Sequence, residues 1–217
     1  MTIPIRCMSL ALVAALGVAG CGKRDEAAGD TVRIGLAAPL TGPQSDIGLD
    51  IQRGTQLGIE DLNAQGVEIG GRKVKLELLS EDDEANPSKA TTVAQKLVDS
   101  RVVAVVGHFN SGASIPASKV YADAGIPQIS PGSTNPRYTQ QGYATTFRVV
   151  ANDDQQGPAV ASFLANTLKG RNVAIIDDST AYGQGLAATF EATVKAAGID
   201  VLAHEHTTDK DTDFAAI

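Results

Sequence analysis

Short apolar runs of strand length take turns with longer stretches of helical spacing along almost the whole of this 217-residue chain. Residues 32–38, 102–106, 126–129, 144–149, 173–176 and 201–204 are the apolar runs. Between them, residues 48–64, 86–99, 111–124, 153–168 and 183–197 carry apolar side chains at the period of a helix with one covered face. Residues 73–79 read differently: Val74, Leu76 and Leu78 alternate with Lys73, Lys75 and Glu77, the signature of a half-exposed edge strand. Asn63, Gly66 and the Gly70-Gly71 pair stop the first helix and make the turn before it. Strands separated by helices of this length are joined by right-handed crossovers into parallel sheets, so the expected fold is α/β. Abundant glycine (22 residues) and sparse aromatics (4%) suit tight strand–helix turns around an Ala/Val/Ile/Leu core.

Charge removes one class of partner. Lys and Arg number 18 against 25 Asp and Glu, a net charge of −7, whereas nucleic-acid binding needs clustered cations. With 43% hydrophobic and 20% charged residues the chain has the balance of a globular protein, not of a disordered, collagen-like or polytopic membrane chain.

The first 20 residues stand apart. Arg6 is followed by an apolar run over 7–19, the layout of a secretory signal, and the run falls short of the roughly 20 residues a membrane-spanning helix requires. It ends in Val18-Ala19-Gly20-Cys21, which resembles the lipobox of bacterial lipoproteins. That resemblance implies that Cys21 becomes the first residue of the mature protein and carries lipid, each buried methylene adding about 0.8 kcal/mol of membrane affinity. Cys7 would leave with the leader, so the mature domain would hold no thiol, and cysteine nucleophiles, iron–sulfur clusters and Cys-zinc sites fall away. Residues 22–31 are polar and Gly/Ala-rich, a tether between lipid and domain. At the other end Asp211 begins a further helical pattern that stops within a few residues in helical register, the reading of a truncated chain.

Two loops carry most of the functional signal. In residues 103–117 an apolar strand ends at Gly107 and Ser111-Gly112-Ala113-Ser114 opens a helix. Free N–H groups at such an end favour a carboxylate or phosphate, and Ser111 can cap the helix, donate its hydroxyl to an anion, or do both. In residues 129–138 another strand tip runs into Pro131, Gly132, Ser133, Thr134, Asn135 and Pro136, either an ordinary turn or a ligand loop at the carboxyl end of a parallel strand. Convergence of the two on one site is worth more than either alone. A third candidate is Tyr182, expected just before a helix and able to cover an apolar ligand or simply to rest on that helix.

Other motifs carry less. Gly183-Gln184-Gly185-Leu186-Ala187-Ala188 fits a dinucleotide fingerprint, but six residues separate Ile176 from Gly183, too far for the tight turn that motif needs. The acidic run 81–84 lacks calcium-loop spacing and reads as a solvated loop. His204 and His206 share one strand face without an evident third ligand, and His108 reads as a loop hydrogen-bonder. No metal, cofactor or catalytic apparatus is assigned, and an enzyme is not expected.

Taken in order, IGLAAPLTGPQSDIG at 34–48, GHFNSGASIPAS at 107–118, ISPGSTNPRYTQQGY at 129–143, NDDQQGP at 152–158 and AYGQGLA at 181–187 resemble the leucine/isoleucine/valine-binding family of periplasmic binding proteins. The resemblance runs from Val32 to Ile217. It implies a type I fold of two α/β lobes closing on an amino acid: signal peptide 1–20, lipidated Cys21 and linker to 31, lobe one over 32–150, and an incomplete lobe two over 151–217. It implies that Ser111 and Thr134 hold the ligand carboxylate, that the Ser133 carbonyl and Thr134 hydroxyl take the ammonium, that Tyr182 closes over the ligand, and that Phe109 and Asn110 line the cleft. Ile47 stands where the best-known members have Trp, which alters the apolar wall. Ala85 and Asn110 occupy both positions of the family disulfide. The resemblance also implies an acidic partner for the ammonium in the part of the family fold beyond residue 217.

The function so implied is a periplasmic, membrane-anchored lipoprotein that hands leucine-, isoleucine- or valine-type amino acids to an ABC transporter permease. The alternatives are a receptor for another small amino acid or amide, and a nucleotide-dependent oxidoreductase using residues 183–188. A ligand-sensing repressor would need a helix-turn-helix where this chain has an export signal.

Overall fold

The computed structural model describes residues 30–215 and Ile217; the expected signal, the lipidated Cys21 and most of the tether lie outside the described residues. Asp30–Ala38 (β1), Arg72–Asp82 (β3), Ala104–Gly107 (β4), Gln128–Ser130 (β5) and Thr146–Arg148 (β6) form one sheet with the short Val67–Ile69 (β2), in the order β2-β3-β1-β4-β5-β6. Every pair is parallel except β2 with β3. The α/β expectation holds, with one strand misjudged. Residues 73–79 do not form the edge: Gly70 and Gly71, both at positive φ, turn a hairpin that lays β2 against β3. Three residues were too short a run for their alternation to register in the sequence.

Ser45–Gln65 (α1) carries the chain from β1 out to β3, and Pro87–Asp99 (α2) carries it back past β1 to β4. Right-handed crossovers in opposite directions put α1 on one face of the sheet and α2, with Ser111–Asp123 (α3) packed on it, on the other. Asn63, expected to stop α1, lies inside it and docks its amide on the Leu76 backbone, donating to the carbonyl at 2.9 Å and accepting from the N–H at 2.8 Å. Asn86 caps α2 by accepting from Ser88 N and Lys89 N, with Pro87 at the first helical position. Ala90, Val93, Ala94 and Leu97 then face Ala37, Val105, Ala113, Ala117 and Tyr121 in the main core. Burying a side chain such as Leu97 stabilises by about 1.5–3 kcal/mol.

Arg137–Gln140 (α4), a single turn absent from the sequence reading, precedes β6. Beyond it, Asp153–Asn166 (α5), Asn172–Asp177 (β7), Ala181–Ala196 (α6) and Asp200–His206 (β8) build a separate two-stranded parallel sheet. Its core is small: Ala161, Val194 and Ile199, with Phe190, Val173 and Val201 against them. After β8 the expected helix at Asp211 is not formed among the described residues. No helix among them is long and apolar enough to cross a membrane.

Candidate functional site: a cleft at the topological switch point

The chain leaves β1 in one direction along the sheet and leaves β4 in the other, so the loops beyond their carboxyl ends part and leave a crevice, the place where open parallel sheets bind ligands. A cleft of about 600 Å³ lies there. One wall is Gln44, Ala85, Pro87, Phe109, Asn110, Ser111, Gly112, Gly132 and Thr134, from the loops after β1, β3, β4 and β5. The facing wall is the segment from Asp178 to Tyr182, between β7 and α6. The two loops singled out in the sequence therefore meet in one site, joined by a third.

Glycine makes the approach possible. Gly107 ends β4 at φ +126°, and a Cβ there would sit 2.0 Å from the Ala37 carbonyl oxygen. A Cβ on Gly132 would collide with the Phe109 ring at 2.3 Å, so glycine lets that ring approach the β5 loop.

The strand-tip wall rests on a buried polar lattice that sequence did not reveal. His108 is fully buried; its Nδ1 pairs with Asp83 Oδ2 at 2.6 Å and its Nε2 with the Tyr121 hydroxyl at 3.2 Å. The His108 carbonyl accepts from the Ser114 and Ser130 hydroxyls at 2.9 and 2.6 Å. Arg148, from β6, grips the other loop: it donates to the carbonyls of Ser133 (2.7 Å) and Asn135 (3.1 Å) and to the Thr139 hydroxyl (2.7 Å), with its guanidinium 5.4 Å from the centre of the Tyr138 ring. Burial lowers the Arg148 pKa, and the surrounding Asp153, Asp154 and Tyr138 oppose that. A lone charged residue on a three-residue strand gave no signal in the sequence.

Within this frame Ser111 is the first residue of α3, not its cap; Asn110 holds that place and makes no side-chain capping bond. The Ser111 hydroxyl accepts the Asn135 N–H at 3.2 Å, which leaves its own proton to donate. The N–H groups of Ser111 and Gly112 open the helix with no carbonyl behind them. Thr134 lines the cleft, its hydroxyl shielded from water and without a hydrogen-bond partner among the described residues, yet close enough to the Asp153 carboxyl to oppose the rise in its pKa. Burial raises the Asp153 pKa. Asn110 donates through Nδ2 to Gln44 at 2.8 Å, while its Oδ1 is buried and unpartnered.

Two expected positions fall elsewhere. Ser133 does not line the cleft: its side chain turns inward to Ser114 and to the Phe109 carbonyl (2.9 Å), and its own carbonyl takes the Arg148 bond. Ile47, in the first turn of α1, is exposed and outside the lining.

On the facing wall Thr180 caps α6 by accepting the Gly183 N–H at 2.9 Å, and Tyr182 sits inside the helix, 41% exposed at the mouth of the cleft. Desolvation, with Asp153 and Asp178 nearby, raises the Tyr182 pKa, so the ring stays neutral. Gly183 and Gly185 are helical, and no phosphate turn forms. They serve close approach: a Cβ at 185 would strike Asn135 Nδ2 at 2.4 Å, and that same amide donates across the cleft to the Ala181 carbonyl at 2.6 Å. Asp178 is the sole ionisable acid among the lining residues, so the cleft itself offers no metal-ligand set.

Residues 31–217 match the periplasmic binding protein family. The chain belongs to that family. It is 43% identical to an amino acid binding protein of Pseudomonas aeruginosa over 86% of this chain and 49% of that one. It is 39% identical to a leucine-, isoleucine-, valine-, threonine- and alanine-binding protein of the same organism, over 95% of this chain and 54% of that one. The fold matches the branched-chain amino acid transporter substrate-binding protein LivJ of Streptococcus pneumoniae, solved with isoleucine. There the TM-score is 0.76 at 31% identity, over 86% of this chain and 52% of that one. The chain thus spans about half the length of the relatives it matches.

Proposed function

We propose that the protein is the extracytoplasmic substrate-binding component of an ABC transporter for branched-chain or other aliphatic amino acids. Residues 32–150 are then lobe one and 151–217 the start of lobe two, with residues 1–20 a signal peptide and Cys21 a lipid anchor holding the receptor at the membrane near its permease. The ligand is bound and released unchanged.

One observation carries this reading: the Ser111 hydroxyl, the Thr134 hydroxyl and the first N–H groups of α3 lie together on a single cleft, and among the described residues the shielded Thr134 hydroxyl has no hydrogen-bond partner. An unsatisfied buried group costs about 1–3 kcal/mol, and a carboxylate removes that cost for several at once while meeting the positive end of a helix dipole. No cation is required, which suits a ligand whose carboxylate must leave again. The unpartnered Asn110 Oδ1 is an acceptor on this wall for the ammonium, beside the Ser133 carbonyl, which keeps a lone pair after accepting from Arg148. Phe109 and the Tyr182 ring leave an apolar remainder suited to an aliphatic side chain.

Calorimetry of the intact protein against leucine, isoleucine, valine, alanine and short-chain amides tests it. Binding near 1 μM corresponds to about −8 kcal/mol and is expected for one or more of the amino acids. Heat from the amides alone favours the second reading, and silence toward every amino acid overturns the first.

A further inference from the structure

The sequence offered two imidazoles on one face of β8 and no third ligand; the neighbouring strand supplies it. Asp177 ends β7, opposite His206 in the β7–β8 register. Its Oδ2 meets His204 Nε2 at 2.9 Å and His206 Nδ1 at 2.7 Å, and one ligand atom from each of the three lies within 4.8 Å of the other two. The supporting contacts resemble those that orient metal ligands. Glu191 of α6 takes His204 Nδ1 at 2.8 Å and is itself held by Lys195 at 2.6 Å, and Asp177 Oδ1 accepts the Ser179 N–H at 2.8 Å. Asp177 is 5% exposed, whereas most of the His206 side chain is open to solvent, leaving a path for an ion and for water.

Each ring nitrogen of His204 faces a carboxylate oxygen. A divalent ion placed between His204 Nε2, His206 Nδ1 and Asp177 replaces the protons on those two nitrogens and satisfies the same carboxylate oxygen. Tetrahedral ligands at about 2.0–2.2 Å from zinc stand roughly 3.3 Å apart, a little farther than Asp177 Oδ2 now stands from either imidazole. We propose that Asp177, His204 and His206 form a site for zinc or a similar borderline transition-metal ion, with water completing the coordination and Glu191 fixing His204. Imidazole-rich ligation selects this class over calcium or magnesium. The bound ion ties β7 to β8 and, through Glu191, to α6. The site is separate from the amino-acid contacts and does not rest on them.

The test uses the intact protein made without a histidine tag, stripped with a chelator and with any free thiol alkylated, titrated with Zn²⁺ against a chromophoric competitor. One ion per chain is expected. His204→Gln and His206→Gln should each abolish that uptake, and Glu191→Gln should weaken it about ten- to a hundredfold. Uptake unchanged in both histidine variants, or no stoichiometric uptake by the wild type, overturns the proposal. Should a variant fail to fold, imidazole ¹⁵N spectra of the wild type decide. The chain has three histidines, and zinc should move the resonances of His204 and His206 while buried His108 stays in place; spectra that do not change overturn it too.

Discussion

The two walls of the cleft are built on opposite principles. The wall on the six-stranded sheet is supported from behind: a core from Ala37 to Ile126, the His108–Asp83–Tyr121 lattice and the Arg148 clamp leave its loops almost no freedom, yet the donors that face the cleft are uncommitted. The wall after β7 has a far smaller core, and its polar groups satisfy one another, Asp178 with Thr180 and Thr180 with the α6 terminus. What it adds is a half-exposed ring and one hydrogen bond across the gap. On the proposed function this division suits a receptor that closes and reopens: pre-aimed donors would set affinity, and the facing wall would contribute contacts made and lost with a hinge shift.

The sharpest way to break the comparison is to remove the uncommitted donors. Ser111→Ala with Thr134→Ala should weaken leucine binding in the intact protein by about 3–6 kcal/mol, two hydrogen bonds to a charged group at about 1.5–3 each. Calorimetry reads the loss, while a thermal melt should fall only by the share of Ser111, whose hydroxyl accepts the buried Asn135 N–H, about 1–3 kcal/mol for one donor left unpaired. Survival of tight binding in that double variant would place the site elsewhere.

Next in size is the lattice behind the same wall. Asp83→Ala strips His108 Nδ1 and the Ala85 N–H of their acceptor at a fully buried position, and each buried group left unpaired costs about 1–3 kcal/mol of stability. Chemical denaturation should show it, with affinity falling as well because the β4 loop loses its support. Unchanged stability would mean the donor wall is not held from behind.

Tyr182→Ala probes the opposite wall and should cost only about 1–2 kcal/mol of affinity, the value of covering part of one apolar ligand surface, with no change in the melt. A loss as large as that of the double variant would erase the asymmetry.

The smallest effect is one of pH. Asp82 is pushed upward by desolvation, but the Thr41 hydroxyl, the Glu84 and Leu40 N–H groups and Lys89 outweigh this and hold its pKa below 3.8. The folded pKa lies below the unfolded one, so the stabilisation is complete above the unfolded value and fades as pH falls through the folded one. Asp82→Asn should therefore lose stability near neutrality and show a shallower decline below pH 4 in acid titrations followed by circular dichroism.

Much of this was legible in the chain alone. Strand–helix alternation fixed the α/β class because backbone period and burial are local properties, and Asn86-Pro87 announced its helix start because capping is local as well. The small-polar loops at 107–118 and 129–143 marked the cleft for the same reason. Tertiary structure decided everything that joins distant segments. It set β2 beside β3, moved Ser133 out of the cleft toward Ser114, brought Arg148 to the loop it grips, and carried Asp83 to His108 and Asp177 to the β8 histidines. Such pairs leave no periodic trace, because hydrogen bonds between side chains on different strands depend on sheet order and register, and only the assembled sheet fixes those.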